Sequence, residues 1–355
     1  MYDSLNFAQK DLTVKEIPHI VIGCSTDIRR REHVMKYYFA PMEGITGYLY
    51  RNAHQDYFPG LDRYMTPFLA PNQKTCFRTR EREDVLPGHN RGMDVVPQIL
   101  TNKAEEFLRA AGELKEYGYR EVNLNLGCPS RTVASKCRGA GFLAVPEELD
   151  RFLDEIFEKA DVEISIKTRI GKDSGEEFAH LMEIYNQYPV KELIIHPRVQ
   201  KDFYRNTPNL DVFAQGFARS RCPVCYNGDI RTVADVKRIK ERFPALERVM
   251  IGRGLLANPG LAGELLGEAP MDKGKLRGFH DRIYRDYQEV LFGEKNVLFK
   301  MKELWSYLIE SFEDAEREGK KIRKAQRLRE YEEAVEALFS KKRLAAEGDT
   351  AAFSV

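Results

Sequence analysis

The sequence has few of the features that mark disulfide-rich, membrane-spanning or polybasic proteins. Its 355 residues include only six cysteines and one tryptophan, and 56 Lys and Arg residues nearly balance 55 Asp and Glu residues, for a net charge of +1. Cysteines this few, without a framework spacing, argue against a fold held by disulfides. The balanced charge means that any contact with nucleic acid must be local.

Long apolar segments are also lacking. No apolar run approaches the roughly 20 residues that a membrane span requires, and the charged first 34 residues contain no apolar signal-peptide region. We therefore expect a soluble, cytoplasmic monomer with no membrane contact. Residues 1–34 fit no regular element and are interpreted as a poorly ordered N-terminal extension, and residues 341–355 as a loose tail.

Residues 35–262 alternate short apolar runs with longer amphipathic stretches. This alternation is typical of βα units around a parallel sheet. Two of the predicted helices are Ala104–Tyr117 and Pro146–Lys159, each with an apolar face at helical spacing. The predicted strands, eight in number, are Tyr37–Ala40, Arg63–Pro67, Val95–Ile99, Glu121–Asn125, Val162–Thr168, Glu192–His196, Val224–Asn227 and Arg248–Gly252. Eight such units predict an α/β fold, a (β/α)₈ TIM barrel.

Residues 263–340 show only helical periodicity and predict a smaller, all-helical C-terminal domain. Within it, Arg317–Arg329 carries seven basic residues against Glu318 alone, a local net charge of +6 (7 − 1). Such a segment can bind phosphates, but it is also typical of a solvated helix face. The basic residues that we select as candidate phosphate contacts are Lys320, Lys321, Arg323, Lys324 and Arg327.

Polar side chains stand at the ends of most predicted strands. In a TIM barrel, the carboxyl ends of all strands open onto one face, so residues far apart in sequence meet there. We therefore expect a single site at this face. The residues at these positions are Met42 after Pro41, Gln98, Asn125, Lys167, His196, Asn227 and Gly252-Arg253.

The thiol of Cys128 follows Asn125 on a glycine turn, within Asn123–Ser130. A free thiol has a pKa of about 8.5 and can donate a proton at neutral pH. Free cysteines are also common as small core residues. Cys222 and Cys225 form a C-x-x-C pair without a second pair or a nearby histidine, so we interpret them as core residues and predict no metal site.

Six motifs in order carry a resemblance to a known family. They are Ala40–Thr46, Asn123–Pro129 with Gly139-Ala140, Ile166–Arg169, His196–Arg198, Asn227–Ile230 and Ile251–Gly254. Together these motifs, within a match from Met35 to Phe339, resemble the dihydrouridine synthases, flavin enzymes that reduce uridine in transfer RNA. One motif differs, because Pro197-Arg198-Val199 stands where the family usually has Gly-Arg-Thr, and the proline removes a backbone donor.

The resemblance implies an FMN cofactor, NADPH as reductant and tRNA as partner. It implies that hydride reaches C6 of uracil while Cys128 protonates C5. The residues that it assigns to FMN are Pro41, Met42, Gln98, Lys167, His196, Asn227, Gly228, Asp229, Gly252 and Arg253. Those assigned to the substrate are Asn125, Arg169, Arg198 and Tyr204, together with the five basic residues selected above.

Three alternatives remain at this point. The same chemistry could act on ribosomal RNA. A flavin reductase of free pyrimidines or enones could use the same barrel and would not need the C-terminal domain. An RNA-binding chaperone could keep a flavin only structurally, although a placed Cys128 favours catalysis. The sequence does not identify which uridine is modified.

Overall fold

A computed structural model describes residues 35–345, which contain nine parallel strands in one sheet. The strands are β1 Lys36–Phe39, β2 Arg63–Met65, β3 Val95–Val96, β4 Gln98–Ile99, β5 Glu121–Leu126, β6 Glu163–Arg169, β7 Leu193–His196, β8 Val224–Asn227 and β9 Arg248–Ile251. Most of their residues are buried, and every residue of β5 is buried. Burial on both faces is expected when helices surround a parallel sheet.

The sheet closes into a barrel through Pro97. Its order is β3-β2-β1-β9-β8-β7-β6-β5-β4, and the two end strands are consecutive in sequence, separated by Pro97 alone. Proline cannot donate to the ladder, so the third predicted strand is divided into β3, which pairs with β2, and β4, which pairs with β5. All eight predicted strands are confirmed within a few residues, and the predicted TIM barrel is confirmed.

Helices follow the strands along the chain. Around the barrel they are α1 Tyr48–Tyr57, α2 Thr79–Val85, α3 Ala104–Glu116, α4 Arg131–Ala134, α5 Pro146–Lys159, α6 Glu177–Tyr185, α7 Leu210–Arg219, α8 Val233–Arg242, α9 Arg253–Ala257 and α10 Leu261–Leu265. The C-terminal helices are α11 Lys273–Val290, α12 Glu294–Leu308, α13 Glu316–Lys324 and α14 Leu328–Lys341. Short 3₁₀ helices are Pro87–His89, Gly139–Ala144, Gln200–Asp202 and Ile309–Ser311. The predicted helix Pro146–Lys159 has the bounds found for α5, and α3 ends one residue before its predicted end.

Two apolar layers surround the strands. The larger fills the space between strands and helices and continues into the helical segment. The smaller is the barrel interior, formed by Tyr38, Ala40, Met65, Val96, Ile194, Cys225 and Met250. Cys225 therefore packs inside the barrel, while Cys222 lies half-buried with its Sγ 3.4 Å from Oγ of Ser220. Residues 35–345 contain no cluster of His, Cys, Asp and Glu that could hold a metal ion.

The C-terminal helices pack against the barrel's carboxyl end. Ser311 donates a hydrogen bond to the carbonyl oxygen of Ala257, and Arg231 forms an ion pair with Glu310. Barrel and helices belong to one compact unit, so the division at residue 262 stays a prediction from periodicity. Across residues 35–345, no helix combines the length and hydropathy of a membrane span. The predicted extension 1–34 and the last ten residues of the predicted tail lie outside the described residues.

Candidate active site

Strand alternation brings the predicted polar residues to one place. Successive side chains of a strand point to opposite faces, so Gln98 lies two positions after the interior residue Val96, His196 after Ile194 and Asn227 after Cys225. These side chains therefore continue the barrel interior at its carboxyl end. There they line an open cleft together with Pro41, Met42, Asn125, Cys128, Lys167, Arg169, Tyr204, Gly228, Asp229, Gly252 and Arg253.

A chain of carboxamides connects β4 and β5 beneath the cleft. Gln98 Nε2 donates to Asn123 Oδ1 at 2.8 Å, and Asn125 Nδ2 donates to Gln98 Oε1 at 2.7 Å. Asn125 Oδ1 then accepts the backbone N–H groups of Gly127 and Cys128, at 3.0 and 2.9 Å. Asn125 therefore fixes the turn that carries Cys128. Because its oxygen is occupied, Asn125 can offer a ligand only an N–H.

The Cys128 turn requires glycine at position 139. Gly139 has a φ of +55°, and a Cβ added there would lie 2.9 Å from Cβ of Cys128 and 3.0 Å from its carbonyl oxygen. That oxygen accepts the N–H of Ala140 at 3.1 Å. Burial raises the pKa of the Cys128 thiol, partly opposed by the Ser130 backbone N–H and the Arg169 charge. The thiol therefore keeps its proton at neutral pH.

Lys167 places an ammonium group in the cleft without a fixed partner. Burial, helped by the nearby Arg169 charge, lowers the pKa of Lys167 to about 8. Its side chain lines the cleft, and no hydrogen-bond or ion-pair partner of its Nζ is found within residues 35–345. An amine that is half-buried in a cleft without an acceptor is costly unless a ligand supplies one. This position therefore fits an anionic or carbonyl-bearing ligand.

Arg198 fixes the protonation of His196. Nε2 of His196 lies 3.0 Å from Nη1 of Arg198, and a guanidinium can only donate, so Nε2 accepts and the ring proton is on Nδ1. Burial, with the surrounding cations, holds the pKa of His196 well below its usual range. His196 is thus neutral, with an Nδ1–H donor that has no acceptor in the part of the chain that the structure describes.

Arg198 itself lies beneath the cleft and does not line it. Its side chain is only 1% exposed and pairs with Asp229. Its guanidinium also donates to the carbonyl oxygens of Arg205 and Asn206. The structure therefore gives Arg198 contacts within the chain in place of the substrate contact expected from sequence, because burial removes it from solvent. Pro197, which replaces the family's glycine, accepts the Asn209 N–H at 2.7 Å.

Arg169 lines the cleft but uses its guanidinium to hold loops. It donates to the carbonyl oxygens of Gly127 at 3.0 Å, Val199 at 2.9 Å and Phe203 at 2.6 Å. The Tyr204 ring at the mouth lies 5.6 Å from the Arg169 guanidinium carbon. Tyr204 is 49% exposed, so of this pair the tyrosine is the group that a substrate can reach.

The part of the cleft around Arg253 is suited to an anion. Arg253 Nη2 donates to Asp229 Oδ1 at 2.7 Å, and the Arg253 guanidinium lies 4.8 Å from the Tyr204 ring centre. Arg253 begins α9, and the first N–H groups of a helix have no partner within it. A Cβ added at Gly252 would lie 3.2 Å from Sδ of Met42, and one at Gly228 would lie 2.6 Å from the Tyr226 hydroxyl. The glycines therefore keep the backbone accessible.

Asn227 has a supporting contact in the same region. Its Nδ2 donates to the carbonyl oxygen of Met250 at 2.8 Å. This bond joins β8 to β9 just below Gly228 and Gly252. Asn227 can therefore hold the two glycine turns together while its oxygen faces no partner within the described residues.

Sequence reasoning missed several residues of the cleft. They are Glu43, Phe68, Arg231 and Tyr307. Glu43 directly follows the predicted Pro41-Met42 pair, so its position could have been inferred. Tyr307 belongs to α12, more than fifty residues after the last barrel strand, and only packing brings it to the mouth.

The selected basic residues lie on α13 and the turn after it. Lys320, Lys321, Arg323, Lys324 and Arg327 are all exposed. None of the five forms an ion pair with another residue between positions 35 and 345. Unpaired, exposed cations are free to contact phosphates.

Comparisons with known proteins show which family this chain belongs to. A family model described as Dihydrouridine synthase (Dus) matches residues 38–353. The chain is 26% identical to tRNA-dihydrouridine synthase B of Pasteurella multocida over 225 residues, 63% of this chain and 67% of that protein. It is 29% identical to a tRNA-dihydrouridine(16) synthase of Cupriavidus necator over 237 residues, 65% of this chain and 73% of that one. A solved structure of morphinone reductase aligns with a TM-score of 0.47 and 14% identity, over 69% of this chain and 88% of that one. The chain belongs to the dihydrouridine synthase family.

Proposed function

We propose that this protein reduces the C5–C6 double bond of uridine in tRNA to 5,6-dihydrouridine, with FMN as cofactor and NADPH as reductant. The observation that carries the proposal is a protonated thiol, Cys128, in the same cleft as the unpartnered ammonium of Lys167. Family membership supports this reaction, and the relatives named above as tRNA-dihydrouridine synthases support tRNA over ribosomal RNA.

The cleft residues fit FMN at both of its ends. Lys167, Gln98 and the Nδ1–H of His196 would hold the polar edge of the flavin ring, with Pro41 and Met42 beside it. The N–H groups at Gly228 and at the start of α9, with the Arg253 guanidinium, would hold the phosphate. Asp229 would keep Arg253 in place, because their ion pair fixes the guanidinium next to the glycine turns.

Cys128 is the proposed proton donor. When bound, FMN supplies the hydride that uracil receives at C6. The Cys128 S–H bond breaks as its proton moves to C5, so the base gains one hydride and one proton. The thiolate left behind is stabilised by the Ser130 backbone N–H and by the charges of Arg169 and Lys167. A hydroxyl in place of the thiol would be a much weaker acid, because its pKa lies far above 8.5.

The substrate uridine has to leave its base stack to reach this cleft. That displacement is least costly in an unpaired loop. The exposed cations of α13 would hold the RNA backbone through phosphate contacts that added salt weakens. Tyr204, exposed at the mouth, would contact the nucleotide that enters. We further propose that the protein acts as a monomer in the cytoplasm.

Activity on defined RNA tests the proposal. The purified protein, with FMN and NADPH, is incubated with unmodified tRNA, with ribosomal RNA fragments and with free uridine. Digestion and mass spectrometry should show a gain of 2 Da on uridine in tRNA only. Replacement of NADPH by NADH measures the reductant preference. Activity on free uridine but not on tRNA would refute the proposed substrate and favour the small-molecule reductase.

A further inference from the structure

Two phenylalanines on the helical segment are unusually exposed. Phe292 is 95% exposed and Phe299 is 66% exposed, the highest values among the large apolar residues of the described chain. Phe292 lies in the turn before α12, and its carbonyl oxygen accepts a 2.7 Å hydrogen bond from Nδ2 of Asn296. Phe299 lies within α12, seven positions later. Single exposed apolar residues are ordinary, but Phe299 stands out because its helix also contacts the cleft mouth and the basic segment.

One side of α12 faces the mouth of the cleft. Nζ of Lys300 donates to the carbonyl oxygen of Gly44, in the loop that follows β1, and Tyr307 lines the cleft itself. At about 100° per residue, Phe299 lies roughly 80–100° around the helix from Tyr307 and Lys300. The phenylalanine is therefore next to the mouth but does not point into it.

The other side of α12 contacts the basic segment. Nζ of Lys302 donates to the carbonyl oxygen of Ala325, in the turn between α13 and α14. Lys302 lies roughly 60° from Phe299 on the helix, in the direction opposite to Lys300. Phe299 therefore lies between the cleft mouth and Arg317–Arg329. A strand bound at both places must cross the surface that Phe299 exposes.

We propose that Phe299 is a stacking platform for an unpaired base of the RNA substrate, between the phosphates held at α13 and the uridine in the cleft. The inference rests on the proposed function. Charge complementarity identifies the occupant. α13, whose following turn contacts α12 through Lys302, carries exposed cations with no ion-pair partner among residues 35–345, and a polyanion is their natural partner. Exposed aromatic rings near such cations stack on single-stranded bases, whatever their sequence.

Affinity measured against salt tests the platform. Base stacking on an aromatic side chain is worth about 5- to 100-fold in affinity, so Phe299→Ala should raise the Kd for tRNA by that factor. Its salt slope should equal that of the wild type, because no charge is removed. Lys324→Gln should instead lower the slope by about one phosphate contact. Phe299→Tyr should retain wild-type affinity, and Leu266→Ala, an exposed apolar control outside α12, should change nothing.

Two outcomes would overturn the inference while leaving the proposed function intact. The first is a Kd for tRNA of Phe299→Ala that lies within twofold of the wild-type value, while the wild-type protein makes dihydrouridine. A concentration-dependent dimer that Phe299→Ala abolishes, with unchanged tRNA affinity, would identify a second copy as the occupant. A wild-type protein that makes no dihydrouridine in any RNA would instead overturn the proposed function.

A fluorescence variant reports stacking directly. The chain has a single tryptophan, Trp305, which is 1% exposed. Phe299→Trp adds an exposed indole, whereas the native indole of Trp305 is buried. Addition of tRNA should quench the new emission strongly, since bases stacked on indole quench it, while wild-type emission changes little. Equal emission changes in both proteins would contradict the platform.

Discussion

Removal of the Arg198 guanidinium tests how the cleft is held together. Arg198 is 1% exposed and pairs with Asp229, which is 37% exposed. Breaking a buried ion pair costs about 3–5 kcal/mol. Because Asp229 is exposed to solvent and keeps its contact with Arg253, no buried charge is left unpaired, and Arg198→Met should lower the free energy of unfolding by about 1–3 kcal/mol, below that range. Urea unfolding followed through Trp305 fluorescence measures this change.

The pH dependence of the loss provides a second check. Arg198 and Arg253, against the opposing effect of burial, lower the pKa of Asp229 from 3.8. A lowered carboxyl pKa gives stability that is present above the unfolded value and lost as pH falls through the folded value. The difference between wild type and Arg198→Met should therefore shrink below about pH 4.

A double-mutant cycle isolates the pair. Asp229→Asn and the double variant Arg198→Met/Asp229→Asn are measured alongside Arg198→Met. The two single losses should not add, because each breaks the same contact. A loss of unfolding free energy below about 1 kcal/mol for Arg198→Met, or full additivity of the two single losses in the double variant, would contradict the role of Arg198 in holding this cleft together.

Three further predictions follow from buried groups. Gly139→Ala forces a side chain into left-handed backbone against Cys128. Turnover should therefore fall at least tenfold, and iodoacetamide should alkylate Cys128 at an altered rate. Wild-type rates in both assays would contradict this. Burial raises the pKa of Glu192 from 4.5 to about 7 despite two nearby arginines, and a raised carboxyl pKa contributes stability below pH 4.5 that is lost as pH rises through 7. The free energy of unfolding of Glu192→Gln, measured in urea, should therefore rise relative to that of wild type by about 2–3 kcal/mol between pH 5 and pH 8. A pH-independent difference would contradict this. Burial lowers the pKa of Lys167, so Lys167→Met should raise the free energy of unfolding of the flavin-free protein by about 1–3 kcal/mol at pH 7. The same change should weaken FMN binding in equilibrium dialysis. A decrease in both the stability and the FMN affinity would contradict this.

The barrel could be predicted because its strands are short apolar runs at regular spacing. Each is bounded by polar or glycine-containing turns, and Pro146–Lys159 shows a helical period with proline at its start. The division of the third strand at Pro97 could also have been inferred, since proline lacks the N–H that a central strand needs. The packing of α12 across the mouth could not, because periodicity identifies a helix face without saying what covers it.

The polar residues of the cleft could be located from strand alternation, but not their hydrogen bonds. Lys167 and His196 lie in the cleft as expected. Whether a nearby arginine faces the ligand or supports a loop depends on contacts across the fold, and Arg198 finds its partners in Asp229 and the carbonyl oxygen of Asn206. The oxygen of Asn125 is likewise used by its own turn, which the spacing of residues does not reveal.

We propose that Cys128 protonates uridine in tRNA within a flavin cleft. The most direct measurement compares wild type and Cys128→Ala, both loaded with FMN and supplied with NADPH, on one unmodified tRNA, with dihydrouridine quantified by position-resolved mass spectrometry. The account predicts dihydrouridine with wild type and a rate about 10²- to 10⁴-fold lower with Cys128→Ala at equal tRNA affinity. Equal rates for the two proteins would contradict it.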